Sequence, residues 1–490
     1  MLGADKKGEE FYSLEDWRKG YQSQTKEEEY WIEEVEGEIP RELCGTLYRN
    51  GPGLLEVFGT PLKHPFDGDG MVCAFSFKDG RCFFRNRFVK TEGFLEEQKA
   101  GRMLYRGVFG SQKPGGWLAN IFDIRLKNIA NTNVIYWGGK LLALWEADHP
   151  YSLHPETLDT IGPTDLDGIL APGEVFSAHP RIDPHSPFNG GKPSLVNFGV
   201  KTGLSSTITV YELDEKGGLI QKYSHIIPGF SFIHDFVITP DYCIFFQNPT
   251  SYNPLPFLLG LKGAGECVKF LKGKPTNIIL IPRRPPHKDV IKIETEAGFI
   301  FHHANAFQMS EKEIVVDSIC YEELAQIDPN SSFRDVDFDK LAPGQLWRFR
   351  LDLVARKATR ELINARCVEF PSLHPGRVGH KYRYLFVGAS HHPTRNAPLQ
   401  ALLKLDLETG SQQLYSFAPK GFAGEPIFVP RAHNITDGED DGWVLQLVYN
   451  SLHHRSQLVI FDGKNISSPV AILHLKRHIP YGLHGHWKQD

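Results

Sequence analysis

NTNVIYWGGKLLALWE, residues 131–146, reads as two short strands joined across a Gly138-Gly139 turn and ending on a carboxylate, Glu146. Farther along come SAHPRID around His179, FIHDF around His234, FHHANAF around His302, CVEFP around Glu369, FAGEPIFVP around Glu425 and GLHGHW around His484. From His179 onward these marked positions recur every 55 to 68 residues, and one step back from His179 lands on 131–146. Seven marks in 490 residues correspond to about 70 residues per unit. That is longer than a four-stranded propeller blade of roughly 40–50 residues, and it fits blades with elaborated loops on one face. The spacing predicts an all-β chain built as a seven-bladed β-propeller, whose innermost strands surround one axis and bring distant residues together. No repeated sequence motif accompanies the period.

Composition agrees with one large β domain. No Pro/Gly/Ser-rich linker or charge block divides the chain, so residues 1–490 are expected to form a single domain. Gly 46 and Pro 33 supply many turns, and TITVYEL, CIFFQN, EIVVDSIC, YLFVGA and WVLQLVY are β-branched or aromatic runs typical of buried strands. The best helical stretch is Tyr12 to Gly20, where Ser13 and Asp16 have capping spacing. The acidic run KEEEYWIEEVEGE, 26–38, reads as part of a solvated N-terminal strap over residues 1–40.

Several function classes drop out. A net charge of −5 with intermixed signs gives no footprint for nucleic acid. Seven cysteines without a C-x-x-C pair fit reduced thiols in a cytosol and offer no thiolate metal site. DGDG, 67–70, resembles the start of a calcium loop, but the twelfth position is Lys78 where a glutamate is required, so it reads as a turn. GAGE near Gly263 lacks the third glycine of a dinucleotide fingerprint, and neither a phosphate-binding G-x-x-x-x-G-K-[ST] nor a G-x-S-x-G elbow occurs. The N-terminus has no apolar signal region and no apolar run reaches 18 residues. Two loops are nonetheless greasy: GGWLANIFDIRLKN (115–128) and NPLPFLLGLKGAGECVKFLKGK (253–274) place apolar side chains beside lysines, as a surface dipping into lipid headgroups would.

The histidines carry the chemistry. Imidazoles backed by carboxylates point to a metal centre, and a carboxylate beside an aliphatic run is costly to bury unless an imidazole N–H holds it. If FHHANAF is extended, only one of His302 and His303 faces the axis, whereas His484 and His486 share a side; strand geometry chooses neither. Four imidazoles would close a tetrahedral zinc site, while an octahedral ferrous ion would keep two positions open for O₂ or water and a substrate atom.

With GTLYRNGPG, HPFDGDGM, YRGVFGSQ, IANTN, SAHPRID, FIHDF, FHHANAF, GEPIFVPR and LHGHW in that order, the chain resembles the carotenoid cleavage oxygenases over essentially its whole length. The resemblance implies a seven-bladed propeller with a dome of loops and short helices over the top face, and one Fe²⁺ per chain held by His179, His234, His302 and His484. It implies that Glu146, Glu369 and Glu425 each accept an imidazole N–H. Thr132 would lie beside the iron's open face, where its methyl restricts how O₂ or water binds. His486 departs from the family pattern, which has a small residue there. The implied reaction is cleavage of a central double bond of an apocarotenoid with O₂, giving retinal and a second aldehyde. Trp145, Phe232 and Phe301, each within two residues of a ligand or its glutamate, are candidates for the substrate wall. The expected setting is a cytoplasmic, peripherally membrane-associated monomer with an apocarotenoid and O₂ as partners. Competing readings are a retinoid or carotenoid isomerase on the same iron propeller, a metal-dependent propeller hydrolase, and a protein-binding propeller with no chemistry.

Overall fold

The computed structural model describes residues 11–325, 332–431 and 438–490. The β-branched and aromatic runs become the strands Ser205–Leu213, Tyr242–Gln247, Glu313–Tyr321, Tyr384–Ser390 and Gly442–Asn450. Tyr384–Ser390 and Gly442–Asn450 are buried along nearly their whole length, because both faces of each sheet pack on a neighbouring sheet. The chain is all-β with a propeller-like arrangement of antiparallel meanders.

Each marked position but Glu146 sits in or beside a strand at one edge of its sheet. Thr132 precedes Asn133–Trp137, His179 precedes Arg181–Asp183, His234 precedes Val237–Ile238, and His484 precedes Gly485–Gln489. His302 lies in Phe299–Ser310, Glu369 in Val368–Ser372 and Glu425 in Gly421–Pro430. Glu146 alone comes from a second strand, just past Lys140–Leu144. Neighbouring inner strands pack on one another, 237–238 on 299–310, 299–310 on 368–372, 368–372 on 421–430, and 421–430 on 485–489, so the marks converge.

The ring closes at both ends of the chain. Gly485–Gln489 pairs with Gly45–Pro52, placing Arg49 opposite Gly485, and Val35–Gly37 pairs with Pro469–His474. The acidic stretch is thus a solvated strap fastened by strand pairing. Glu29–Trp31 and Val35–Gly37 are edge strands, and carboxylates in and between them meet cations: Glu29 pairs with Arg85 and Arg87, Glu34 with Arg455.

Seven separate sheets are not what pairs. Among the described residues six sheets have four or more strands, one of them eight-stranded. Its two four-stranded meanders join where the outer strands Ile291–Thr295 and Lys357–Asn364 meet in parallel at Glu294 and Lys357. An outer edge exposes unpaired N–H and C=O groups, and here two such edges satisfy one another.

Helices are few and short. Leu14–Lys19 starts as its sequence predicts, with the Asp16 N–H donating to Ser13 Oγ at 3.1 Å. Segments 91–128 and 248–274 hold three more: Glu92–Ala100, Trp117–Asn120 and Leu255–Leu258. They form a cap held from inside by polar groups. The buried Arg106 donates to the carbonyls of Asn120, Asp123, Phe257 and Lys262, tying the two segments together. Asp67 accepts from the Phe109 N–H at 2.8 Å and from Ser111 Oγ at 2.7 Å, while Lys127 Nζ lies 2.7 Å from both Asp69 and Glu97. The DGDG turn is thus the cap's anchor. Among the described residues no helix is long and apolar enough to cross a membrane.

Candidate metal centre

His179, His234, His302 and His484 come together with one ligand nitrogen each, all within 4.8 Å of one another. Three of them are oriented from behind. His234 Nδ1 lies 2.6 Å from Glu146 Oε2, His302 Nδ1 lies 2.6 Å from Glu369 Oε2, and His484 Nδ1 lies 2.8 Å from Glu425 Oε1. A carboxylate can only accept, so each Nδ1 carries the proton and each Nε2 is left with a lone pair. His302 Nε2 is buried without a hydrogen-bond partner, and His179 Nε2 lies 2.9 Å from His234 Nε2. Converging, unpartnered imidazole lone pairs are costly in a protein interior, and a divalent cation at their centre answers all of them. The donor set therefore fits a metal ion.

The two ambiguous pairs separate cleanly. His303 turns away: its ring bonds Ser318 Oγ at 2.7 Å and its peptide N–H donates to Asp235 Oδ2 at 2.8 Å. His486 faces out of the cluster, opposite Tyr48 in the closing strand pair, and burial lowers it to about 4. Burial and the neighbouring imidazoles hold His179 well below the ordinary histidine range, which keeps its nitrogens unprotonated.

Thr132 reaches the site through its backbone. Its carbonyl accepts from the His484 N–H at 3.2 Å, and its hydroxyl donates to Asn131 Oδ1 at 3.1 Å.

Several residues at the centre were not singled out by sequence reasoning. Phe370 packs against His302 and His484, with ring centroids 5.6 and 5.4 Å away, and adopts φ 59°, a strained value for a phenylalanine. A shift in strand register between Glu369 and Ser372 accompanies it. Asp235 links Arg181 to the His303 backbone, tying the strands that carry His234 and His302. Arg49 and Tyr321 each grip a glutamate, Glu425 and Glu369 respectively. In the sequence, Asp235 was visible only as the neighbour of a ligand, and Phe370 only as the neighbour of Glu369.

Two cavities lie at the site, one lined by three of the histidines and one reaching Glu146, the partner of His234. One of about 480 Å³ is largely apolar, with Phe232, Phe301, Phe109, Phe230, Tyr252 and Glu146 in its wall. The other, about 180 Å³, is polar and bounded by His179, His302, His484, Arg181, Asp235 and Glu425. Of the three proposed wall aromatics, Phe232 and Phe301 line the apolar cavity. Trp145 instead borders a void of about 20 Å³ with Arg106 and Lys127, beneath the cap.

Residues 21–489 match the profile of the family described as retinal pigment epithelial membrane protein, RPE65. The chain belongs to the RPE65/carotenoid oxygenase family. Among its relatives in that family, the apocarotenoid-15,15'-oxygenase of Synechocystis sp. is 58% identical over 480 residues, covering 98% of this chain and 97% of the relative. Resveratrol cleavage oxygenase 1 of Aspergillus fumigatus is 30% identical, covering 93% and 91%. The crystal structure of cobalt-substituted Synechocystis ACO superposes with a TM-score of 0.96 at 57% identity, covering 98% of this chain and 100% of that one.

Proposed function

We propose that this family member is a non-haem Fe²⁺ dioxygenase that cleaves a central double bond of an apocarotenoid with O₂, giving retinal and a second aldehyde. The observation that carries this reading is the four-imidazole cluster whose His234 is bonded to Glu146, a residue in the wall of an apolar cavity of about 480 Å³. The likeness to an apocarotenoid oxygenase over nearly the whole chain supports the substrate class. His179, His234, His302 and His484 would hold the ion, with Glu146, Glu369 and Glu425 fixing three of the rings. Bound there, Fe²⁺ supplies O₂ activation at positions that four protein ligands leave free.

The chain's own contribution is placement. Phe232 and Phe301 hold a rigid polyene in the cavity and face it with ring π-systems, which stabilise positive character developing along the conjugated chain. Trp145, beneath the cap, directly precedes Glu146 and Ala147 of the same wall. Thr132, beside His484, would limit which small molecules reach the open face. Among the groups lining the apolar cavity none is needed as an acid or base, since both oxygen atoms of O₂ end as the two new carbonyl oxygens.

The finer architecture follows. Counted as two four-stranded blades divided at Glu294 and Lys357, the eight-stranded sheet would make a ring of seven in a single domain over 1–490, closed by the N-terminal strap, whose residues 1–10 lie outside the described residues, with the cap as the dome. The side chains of Trp117, Leu118, Phe122, Leu255 and Leu261 stand exposed on that cap, and they would seat a cytoplasmic monomer peripherally on a membrane that stores the substrate. Phe257, from the same greasy loop, is not among them, because it is buried under Arg106.

Metal analysis with an aerobic and anaerobic incubation tests the proposal. About one iron per chain is expected, with retinal formed from apocarotenals only when O₂ is present. Stoichiometric zinc with no iron-dependent cleavage, aldehyde release without O₂, or isomerised but uncleaved product would each overturn it.

A further inference from the structure

The three carboxylates behind the imidazoles are held very differently. Glu425 accepts from His484, from the Gly485 N–H at 3.0 Å and from Arg49 Nη1, while Arg49 Nη2 donates to the Leu483 carbonyl at 3.0 Å. The Arg49 side chain is only 4% exposed, so its fork grips both the carboxylate and the backbone beside His484 away from solvent. Glu369 accepts from His302, from the Phe370 N–H at 2.8 Å and from the Tyr321 hydroxyl at 2.6 Å. Tyr321 itself is clamped: a Cβ added at Gly344 would fall 2.7 Å from its ring, so that glycine lets the backbone press against it. Glu146 is the contrast. Among the described residues His234 is its single hydrogen-bonding partner, and its side chain is 28% exposed where the apolar cavity begins. His179 has no carboxylate behind it among the described residues.

We infer that Arg49 and Tyr321 are positioning residues that fix His484 and His302, so the metal cage has two rigid corners and one compliant corner, His234 with Glu146, on the cavity side. A carboxylate with three donors has one orientation, and the imidazole it orients inherits that rigidity; a carboxylate with one donor can swing with its ring. Neither anchor touches the ion or the cavity, so both act only through a glutamate. The compliant corner then lies where a substrate's arrival can be felt, and the rigid corners keep the remaining ligands in place. This inference rests on the proposal that the cluster binds a divalent metal.

The test uses the full-length protein, stripped of metal and titrated with Co²⁺. Affinity is read by competition with a chelator, geometry by the visible ligand-field bands, and fold by the unfolding midpoint with and without metal. Tyr321→Phe removes one hydroxyl and should weaken Co²⁺ binding about tenfold and shift the bands. Arg49→Met should do at least as much, with partial recovery in Arg49→Lys. Glu369→Gln should cost more affinity than Glu146→Gln. If Tyr321→Phe and Arg49→Lys lower only the metal-free midpoint and leave affinity and bands unchanged, both residues are merely structural and the inference fails. If the unaltered protein binds neither Co²⁺ nor Fe²⁺, the proposed function itself fails.

Discussion

The ring of inner strands and the cap above it differ in what does most of the holding, although the ring too has buried ion pairs such as Arg49 with Glu425. In the ring, apolar sheets pack face to face, and each marked residue but Glu146 is delivered to the axis from in or beside an edge strand. In the cap, buried charges do the holding: Arg106, Lys127 with Asp69 and Glu97, and Asp67 with Ser111. Its apolar side chains are partly turned outward instead, with Leu118 70% and Phe122 71% exposed. A ring made by hydrophobic burial is tolerant, because many contacts share the load. A cap made by a few buried ion pairs is brittle, since removing one partner strands the others.

The sharpest way to break the comparison is Lys127→Met. It leaves Asp69 and Glu97 buried side by side with their shared cation gone, a loss of about 3–5 kcal/mol for a broken buried pair. The loss should be local. Hydrogen exchange should accelerate across residues 91–128 while strands such as Leu399–Asp406 stay protected. Uniform acceleration through the ring would mean that cap and ring are one cooperative unit and the contrast is false.

The same contrast explains what could be read from the sequence. Ring strands announce themselves through local runs such as YLFVGA and WVLQLVY, and the ligands through histidines spaced along the chain in short apolar or tight-turn settings between such runs. The choice of His302 over His303 was not local. It depends on Asp235, 68 residues away, taking the His303 N–H. Arg49 reaches Glu425 across 376 residues, through a strand pairing that closes the ring and that no periodicity foretells. Tyr321 ends a buried strand and looks like any core aromatic until its hydroxyl is seen on Glu369. DGDG was rejected as a calcium loop on sound grounds, yet its aspartates are not idle turn residues; their partners lie some 40 to 60 residues away. The joining of two blades into one eight-stranded sheet is illegible for a related reason. Spacing sets how many inner strands there are, but not which outer edges will pair.

Asp67 makes the cap's stability depend on pH. Burial pushes its carboxyl up to about 6 from an ordinary 3.8, outweighing the Phe109 and Ser111 donors, with Glu266 adding repulsion and Lys63 pairing Glu266 at 2.7 Å. The folded value lies above the unfolded one, so the folded protein holds this proton more tightly. The stabilisation is complete below about 3.8 and is lost as pH rises through about 6. Over that span it amounts to roughly 3 kcal/mol, at about 1.4 kcal/mol per unit. Relative to Asp67→Asn, the unaltered protein should therefore gain cap stability between pH 7 and pH 5, read by proteolysis of the 105–112 segment. Parallel pH profiles for the two proteins would show that Asp67 does not titrate in this range.

The smallest effect on folding, and the most selective on behaviour, belongs to the cap's outer face. Replacing Trp117, Leu118 and Phe122 with serine removes side chains that solvent already reaches, so each change should alter stability by no more than about 0.5 kcal/mol. Association with liposomes should nonetheless fall severalfold, while cleavage of detergent-solubilised substrate persists, because the cavity wall at Phe232 and Phe301 is untouched. The complementary change is Phe257→Ala. That ring is 7% exposed and lies 4.3 Å under the Arg106 guanidinium, so its loss should loosen the cap and leave the membrane-facing surface in place. If the serine variant binds liposomes as well as the unaltered protein does, the exposed apolar face is not a membrane seat. The cap would then differ from the ring only in how it is held, and not in what it meets.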